Sequence, residues 1–342
     1  MKKLRVLSLL CVCIVFGITG CTSSVVDKEA VIETPEDTLN GTSEDTSADI
    51  NKNTADSIVQ AEPSEVTTKA EKAPVVTKKS EYKGNDSWDV LAENVYDFSI
   101  NDMAFYSENL AITVGKGGEI HYSNDQGITY PRSDNESHCR FGLDIVSDEL
   151  CYTCGNNGEV TKSTDGGKTF KRMTDFGSFQ SQIISFVDEN NGLIVSKESM
   201  AITNDGAETW SPLETPSAVI AVCMETADSF CYIGDDLNLY RTTDSGTTWM
   251  QTPLNLPEET DYLNKSKNFA FTIDGSDSYT FYCFQKSTGL LKSYSTTDNC
   301  VNYSENTMPT IDVTSYIYIN HPGNIITLYN TFDKSVIALI KK

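Results

Sequence analysis

The sequence predicts an all-β protein, a six-bladed β-propeller built from four-stranded antiparallel blades. Two observations carry this prediction. An eight-residue turn recurs about every forty residues, as SNDQGITY at 123–130, STDGGKTF at 163–170, TNDGAETW at 203–210 and TTDSGTTW at 242–249. Short segments of alternating polar and apolar residues precede each turn, bounded by Gly and Asn, as is typical of strands and hairpins. A repeat of about forty residues has the length of one four-stranded blade.

The number of blades follows from the strands between the turns. Triplets of strands are expected near 98–123, 140–163, 182–203, 218–242, 267–296 and 313–340. Outer strands are expected after the first five triplets, at about 129–132, 169–172, 209–213, 248–252 and 301–304. The sixth triplet reaches the chain end without an outer strand, whereas SWDVL at 87–91 resembles one. We therefore predict that 87–91 closes the sixth blade and leaves no open sheet edge.

The repeated turn contains residue types that suit a tight connection. Its acidic residue can accept hydrogen bonds from N–H groups of its own turn, its glycine permits a positive φ, and its final aromatic residue is a large apolar anchor. These structural roles are predicted for Asp125, Asp165, Asp205 and Asp244, for Gly127, Gly167 and Gly246, and for Tyr130, Phe170, Trp210 and Trp249. A fifth copy at 296–303 keeps Asp298 but has Cys300 at the glycine position, where the third copy has Ala207. We expect both of those turns to be distorted.

The turn resembles the Asp-box, or BNR repeat, with the pattern S/T-x-D-x-G-x-T followed by an aromatic residue. Over residues 86–342 the chain resembles the Asp-box propellers grouped with the photosystem II stability and assembly factor-like proteins. The resemblance implies that the repeated aspartates are structural and lie on the rim opposite the usual ligand face. It also implies a scaffold or binding platform without chemistry of its own, and it carries no photosynthetic role.

The N-terminal residues resemble those of a bacterial lipoprotein. MKKLR is followed by an apolar run of signal-peptide length that ends in Ile-Thr-Gly before Cys21. The resemblance implies a leader at 1–20, a lipidated Cys21 and an extracytoplasmic protein attached to the membrane surface by its lipid alone. An ordinary secretory leader followed by an incidental cysteine is the alternative. Residues 21–85 are acidic, rich in Ser and Thr and poor in aromatics, which predicts a disordered tether.

The strongly acidic charge limits the partners. The chain has 26 Lys and Arg against 49 Asp and Glu, and loss of the three basic residues in the leader changes the formal charge from −23 to −26. Such a surface repels nucleic acid and anionic lipid headgroups, so we expect neither as a partner. GKGGE at 115–119 lacks the Lys-Ser/Thr of a phosphate loop, and no other motif calls for a cofactor.

The cysteines do not predict a metal site. Cys151 and Cys154 lie three positions apart, so on one strand their side chains would point to opposite faces and could not chelate one ion. Buried structural cysteines are the better interpretation. Cys223 and Cys231 flank a short predicted hairpin and could face each other across it, which makes them candidates for a disulfide.

Candidate ligand-binding residues lie on the loops that join blades and on those between the second and third strands, which share the top face of the propeller. The longest such loop is PLNLPEETDYLNKSK at 253–267. The candidates are Asp235, Asp236, Glu258, Glu259, Asp261 and Tyr262. They predict an acidic, partly aromatic surface that binds a protein or a glycan at the cell envelope.

A carbohydrate-active hydrolase is the alternative function. Asp-box propellers include sialidases. The resemblance would imply a sialidase only if three arginines of this chain lay together to bind a substrate carboxylate. Residues 86–342 contain Arg132, Arg140, Arg172 and Arg241, and the Arg-Ile-Pro motif of sialidases is absent. Another glycosidase would need two of the top-face carboxylates on either side of a cleft, roughly 5–10 Å apart.

Overall fold

The computed structural model describes residues 76–78, 82–133, 138–177, 180–196, 199–257, 260–261, 269–285, 287–311, 317–320 and 324–342. The expected leader, Cys21 and most of the expected tether lie outside the described residues. Residues 68–342 belong to one compact unit. Its described part consists of β-strands joined by turns, with one 3₁₀ turn at Asn156–Gly158.

The strands group into six antiparallel sheets, which are the six blades of the propeller. The first strands of the chain are β1 (Val76–Lys78) and β2 (Trp88–Tyr96). Blade 1 contains β3 (Asp102–Ser107), β4 (Leu110–Val114) and β5 (Ile120–Ser123). Blade 2 contains β6 (Arg140–Ile145), β7 (Cys151–Gly155), β8 (Val160–Ser163) and β9 (Lys171–Arg172). Blade 3 contains β10 (Ser181–Phe186), β11 (Gly192–Ser196), β12 (Met200–Thr203) and β13 (Ser211–Leu213).

The remaining blades follow the same order from the inner to the outer strand. Blade 4 contains β14 (Val219–Met224), β15 (Phe230–Gly234), β16 (Asn238–Thr242) and β17 (Met250–Pro253). Blade 5 contains β18 (Thr260–Asp261), β19 (Ala270–Gly275), β20 (Ser278–Gln285), β21 (Leu291–Thr296) and β22 (Ser304–Asn306). Blade 6 contains β23 (Ile317–Asn320), β24 (Ile325–Asn330) and β25 (Ser335–Lys341).

The outer strand of blade 6 comes from the start of the described chain. Strand β2 pairs antiparallel with β25, in a register that runs from Trp88 opposite Lys341 to Val95 opposite Ser335. The prediction that an N-terminal strand closes a six-bladed ring is confirmed, and the strand is longer than the predicted 87–91. Strand β1 pairs with the outer side of β2, so a short strand lies inside the segment expected to be a tether.

Blades 1 and 5 depart in detail from the predicted strands. The outer position of blade 1 is a single bridge between His121 and Arg132, because the preceding Pro131 has no N–H to donate to a ladder. In blade 5 the long loop folds back, and β18 pairs with the upper end of β20 beside β19. The inner position of this blade is therefore shared by two strands.

Apolar side chains fill the spaces between blades. Because successive residues of a strand point to opposite faces, each strand contributes to the cores on both sides of its blade. Cys151 packs against Ile112 of blade 1, whereas Cys154 belongs to the cluster that contains Ile194 of blade 3. The two cysteines thus point to opposite faces, as their spacing predicts.

The repeated turns share one hydrogen-bonding pattern. In the second copy, Oδ1 of Asp165 accepts the N–H of Thr169 at 3.0 Å and Oδ2 accepts its hydroxyl at 2.7 Å. The Ser163 hydroxyl donates to Asp165 and accepts the N–H of Gly167 at 2.9 Å. Asp125, Asp205, Asp244 and Asp298 make the corresponding bonds.

The turns without glycine keep the same geometry. Ala207 and Cys300 adopt φ values of 71° and 67°, close to the 75–83° of the glycines at the equivalent position. Their N–H groups donate to Thr203 and Thr296 as the glycine N–H groups do to their own residues. The expectation of distorted turns is therefore wrong, because the side-chain bonds of the turn hold a non-glycine residue in the left-handed region.

The aromatic residues of the turns connect neighbouring blades. The Trp210 indole donates to the carbonyl of Thr174, and the Trp249 indole donates to that of Glu214, at 3.1 and 3.2 Å. Tyr130 is fully buried, with its ring centroid 4.9 Å from that of Tyr96 of the closing strand. Within the described segments, no helix has the length and apolar character needed to cross a membrane.

Replacing Gly127 by alanine tests the packing of a turn. A Cβ at this position, where φ is +75°, would lie 2.8 Å from Cζ of Phe105. We expect Gly127→Ala to lower the free energy of unfolding by about 1–3 kcal/mol through backbone strain and overpacking. Urea unfolding measures the change, and Gly275→Ala is the control because its nearest neighbouring atom would be 3.6 Å away. Equal effects of the two substitutions would contradict the prediction.

The turn carboxylates predict a loss of stability in acid. Hydrogen bonds from Thr209 lower the pKa of Asp205, and those from Asn302 lower the pKa of Asp298 to about 2. A carboxyl whose pKa is lower in the folded state stabilises the fold fully above its unfolded pKa of about 3.9, and this contribution disappears as the pH falls towards 2.

Asp298→Asn should therefore lower the free energy of unfolding more at pH 5 than at pH 2. Urea unfolding at both pH values measures the difference. Asp235→Asn is the control, because Asp235 is exposed and lies outside the repeated eight-residue turns. A loss that is the same at both pH values would show that the charge of Asp298 does not matter.

Candidate functional site

A cavity of about 250 Å³ lies among the innermost strands of the blades. Its wall combines apolar and polar side chains of β6, β10, β14, β19 and β23, and it includes the carboxylates Asp102 and Asp144. Both carboxylates are buried, with exposed fractions of 5% and 8%. A cavity at the ring centre with two carboxylates is the first place to look for chemistry.

Hydrogen bonds explain why these two carboxylates are buried. Asp102 accepts the N–H of Leu143 in blade 2 at 3.1 Å and the hydroxyl of Tyr329 in blade 6 at 2.9 Å. Asp144 accepts the N–H of Phe186 in blade 3. Each carboxylate therefore joins the inner strands of neighbouring blades, which identifies it as a connector inside the ring.

The top end of blades 1 and 2 carries a repeated turn, Gly-x-x-Gly-Glu, at 115–119 and 155–159. The second glycine of each copy fits against the next interblade loop: a Cβ on Gly118 would meet His138, and one on Gly158 would lie 2.0 Å from the carbonyl oxygen of Phe176. Their φ values are +84° and +68°. These close contacts fix the position of the glutamate that follows.

Glu159 is 1% exposed and forms a buried ion pair. Its Oε1 lies 2.7 Å from Nη2 of Arg140, which is fully buried at the start of β6. Its Oε2 lies 2.6 Å from Nδ1 of His138, whose side chain is 42% exposed. Nε and Nη1 of Arg140 donate no hydrogen bond within the described structure. In blade 1, Glu119 instead accepts the hydroxyl of Ser99.

The predicted top-face residues are only partly within the described structure. Asp235 and Asp236 are exposed in the turn between β15 and β16. Oδ2 of Asp236 accepts the Tyr240 hydroxyl at 2.6 Å. Partial burial raises the pKa of Asp236, but the hydrogen bonds from Tyr240 and Asn238 outweigh that effect and lower it.

The other predicted residues belong to the long loop. Asp261 is the second residue of β18 and pairs with Phe284, at the inner edge of blade 5. Glu258, Glu259 and Tyr262 lie outside the described residues. The structure thus places Asp235 and Asp236 on one blade and Asp261 on the next.

The disulfide expected between Cys223 and Cys231 is not formed. The two residues are direct partners across β14 and β15, but both thiols are free, as are the other five cysteines of the described residues. Burial raises the pKa of each thiol to about 12, which suppresses the thiolate needed for disulfide formation. Sγ of Cys231 instead accepts a hydrogen bond of 3.8 Å from Nη1 of Arg241.

Two of the important side chains were missed by the sequence predictions. Arg140 was noted only as a member of a set of arginines, and Glu159 was not singled out. The repeated Gly-x-x-Gly-Glu turn was the available indication, since it places an acidic residue at the same top position of two blades.

The described residues contain no group of three or more His, Cys, Asp or Glu side chains arranged to hold a metal ion.

Glu159→Gln tests the buried ion pair. Glutamine preserves the size of the side chain but leaves the Arg140 guanidinium buried without its counter-charge, so we expect a loss of about 3–5 kcal/mol in the free energy of unfolding. Chemical denaturation measures it. Glu189→Gln is the control, because Glu189 is 66% exposed in its pair with Lys162 and should contribute less than about 1 kcal/mol. A similar small effect of both substitutions would mean that the buried pair is dispensable.

Among the comparisons with known proteins, the one with solved structures gives matches. No family model matches the chain, and no curated protein matches it. A structure of YCF48 bound to D1 peptide superposes with a TM-score of 0.49 at 12% identity, over 76% of this chain and all of that one. An ancestral GH74 enzyme gives 0.47 at 12% identity, over 72% of this chain and 37% of that one. The WD40 β-propeller domain of Doa1 gives 0.48 at 10% identity, over 77% and 98% of the two chains.

Proposed function

We propose that this protein is a binding or scaffold module that engages a protein or a glycan at the cell envelope through the top face of its propeller. In this proposal a lipid on Cys21 attaches it to the outer side of a bacterial membrane, and the residues between Cys21 and β1 separate the propeller from that surface. A carbohydrate-active hydrolase is the second candidate.

The state of the acidic side chains is the observation that favours binding over hydrolysis. A glycosidase needs a carboxylic acid whose pKa is raised so that it can donate a proton. The hydrogen bonds of Asp236 lower its pKa, and Asp102 and Asp144 are hydrogen-bonded connectors between blades. Asp102, Asp144 and Asp236 thus act as acceptors in fixed hydrogen-bond networks.

The rigidity of the top face also suits a binding platform. At Gly118 and Gly158, two turns pack closely against the loops between blades. The buried ion pair of Arg140 with Glu159 also anchors the second of these turns. A surface that is already ordered loses little conformational entropy when a partner binds. Asp235 and Asp236 are exposed on it and favour a partner with basic or hydroxyl groups.

The test uses the full-length protein and two charge-reversal variants. Asp235→Lys with Asp236→Lys changes the top face, whereas Asp148→Lys with Glu149→Lys changes an equally exposed acidic pair at the opposite end of blade 2. We expect envelope proteins or glycans captured by the wild type to be lost only from the top-face variant. Chromogenic glycosides, assayed in parallel, should show no turnover. Turnover that is abolished by replacing a top-face carboxylate would establish the hydrolase instead, and equal capture by both variants would exclude this face.

A further inference from the structure

A second cavity lies between the sheets of blades 5 and 6, towards the end of the strands opposite the top face. Its volume is about 430 Å³, within the range of roughly 300–1,000 Å³ typical of small-molecule sites. We call it the polar cleft. It is lined by Ser87, Trp88, Thr272, Asp274, Thr280, Tyr282, Ser293, Ser295, Asn306, Thr307, Met308, Asn324 and Lys341.

The polar cleft interrupts an otherwise apolar interface. The upper half of the same face of blade 5 packs against blade 6 through Tyr282, Phe284 and Leu291, which share a core cluster with Ile326 and Leu339. In the lower half, the strands of blade 5 present hydroxyl, amide and carboxylate groups instead. These polar groups range from buried to exposed, so the cleft opens to solvent.

A directed chain of hydrogen bonds crosses β19, β20, β21 and β22 of blade 5 in this lower half. Thr280 donates to Oδ2 of Asp274 at 2.6 Å, so in its 2.8 Å contact with Ser295 the serine must be the donor. Ser295 in turn accepts from Nδ2 of Asn306 at 2.8 Å. The chain therefore runs from the amide of β22 to the carboxylate of β19, and each bond polarises the next.

Two polar atoms of the cleft are left over from this network. The Tyr282 hydroxyl and the Trp88 indole N–H make no hydrogen bond within the described structure, and neither is among its fully enclosed unpaired polar atoms, so both atoms are open to solvent although the two residues are only 5% and 4% exposed. Burial raises the pKa of Tyr282 to about 12, so its hydroxyl keeps its proton and is a donor. Water or a ligand in the cleft can therefore accept a hydrogen bond from each of these donors.

The charge of the lining indicates the kind of ligand. Asp274 and Lys341 are its two charged residues, and their formal charges cancel. The hydroxyls of Thr280 and Ser295 donate their protons within the network and can only accept from a ligand, whereas Tyr282 and Trp88 can donate to one. The hydroxyl groups of a sugar match both kinds of partner, because each of them can donate and accept.

We propose that the polar cleft between blades 5 and 6 binds a neutral polyhydroxylated ligand of the size of a sugar unit. Thr280, Ser295 and Asn306 hold the hydroxyls of the ligand in register, Tyr282 and Trp88 donate to them, and Asp274 terminates the network. This site is separate from the top face, so it does not depend on the proposed function of that face.

Saturation-transfer NMR and calorimetry on the full-length protein test the proposal, with D-glucose and N-acetyl-D-glucosamine as neutral probes and glucose 6-phosphate as the anionic probe. We expect the neutral probes to bind with a Kd of about 1 mM or lower. Thr280→Val, which breaks the hydrogen-bond chain with little change of shape, and Tyr282→Phe, which removes one donor, should each weaken binding about tenfold. Thermal unfolding shows whether each variant folds. If Thr280→Val does not fold, Tyr282→Phe still tests the proposal, because it keeps the aromatic ring.

Thr153→Val is the matched control. Thr153 lies on the second strand of blade 2 and shares a hydroxyl–hydroxyl contact of 2.7 Å with Thr161 of the third strand, as Thr280 does with Ser295, but it is outside the cleft. This variant should bind the probes as the wild type does. No binding of either neutral probe at about 10 mM would overturn the proposal and identify the cleft as a water-filled gap. Preferential binding of the phosphate, or binding that Tyr282→Phe leaves unchanged, would also overturn it.

Discussion

The pairing of β2 with β25 is the interaction on which the rest of the ring depends. It joins the start and the end of the described propeller. Forming it therefore closes a loop that contains nearly the whole unit, which has a large cost in conformational entropy. Hydrogen bonds along the strand and the burial of Trp88 offset this cost. Both neighbours of blade 6 rely on the result, because its side chains form one wall of the core against blade 5 and one wall of the core against blade 1. Without β2, the edge of β25 would also be open to pairing with other chains.

Most of the fold could be predicted because the blades are specified locally. The turn that ends each third strand contains its own acceptor, donor and aromatic anchor within eight residues, so its period reveals the blades directly. Strand β18 could not be predicted, because a two-residue strand has no periodicity of its own and exists only through its pairing with β20. The regular turns at Ala207 and Cys300 could not be predicted for a related reason. A single non-glycine residue prefers negative φ, but the hydrogen bonds of the whole turn act against that preference.

The candidate sites were much less predictable, because they are assembled from segments far apart in the sequence. The turn at Asp235 and Asp236 could be placed on the top face from strand order alone. By contrast, the pairing of Arg140 with Glu159 needs the register of three strands, and the polar cleft needs residues between Ser87 and Lys341 to meet at one interface. Alternating Thr and Ser on β19, β20 and β21 looked like ordinary strand composition. Only the sheet shows that these hydroxyls share one face and continue a single chain of hydrogen bonds.

The two proposed surfaces differ in how charge acts on their partners. A chain with a formal charge of −23 repels anions at a distance and attracts cations, so the exposed carboxylates of the top face add long-range steering to whatever short-range contacts a partner makes. The polar cleft has no such field of its own, since Asp274 and Lys341 balance each other, and its selectivity must come from the positions of individual donors and acceptors. A basic partner of the top face should therefore associate more slowly as salt rises, whereas a neutral ligand in the cleft should bind equally well at low and high salt. Salt dependence thus distinguishes a basic partner of the top face from a neutral ligand of the cleft.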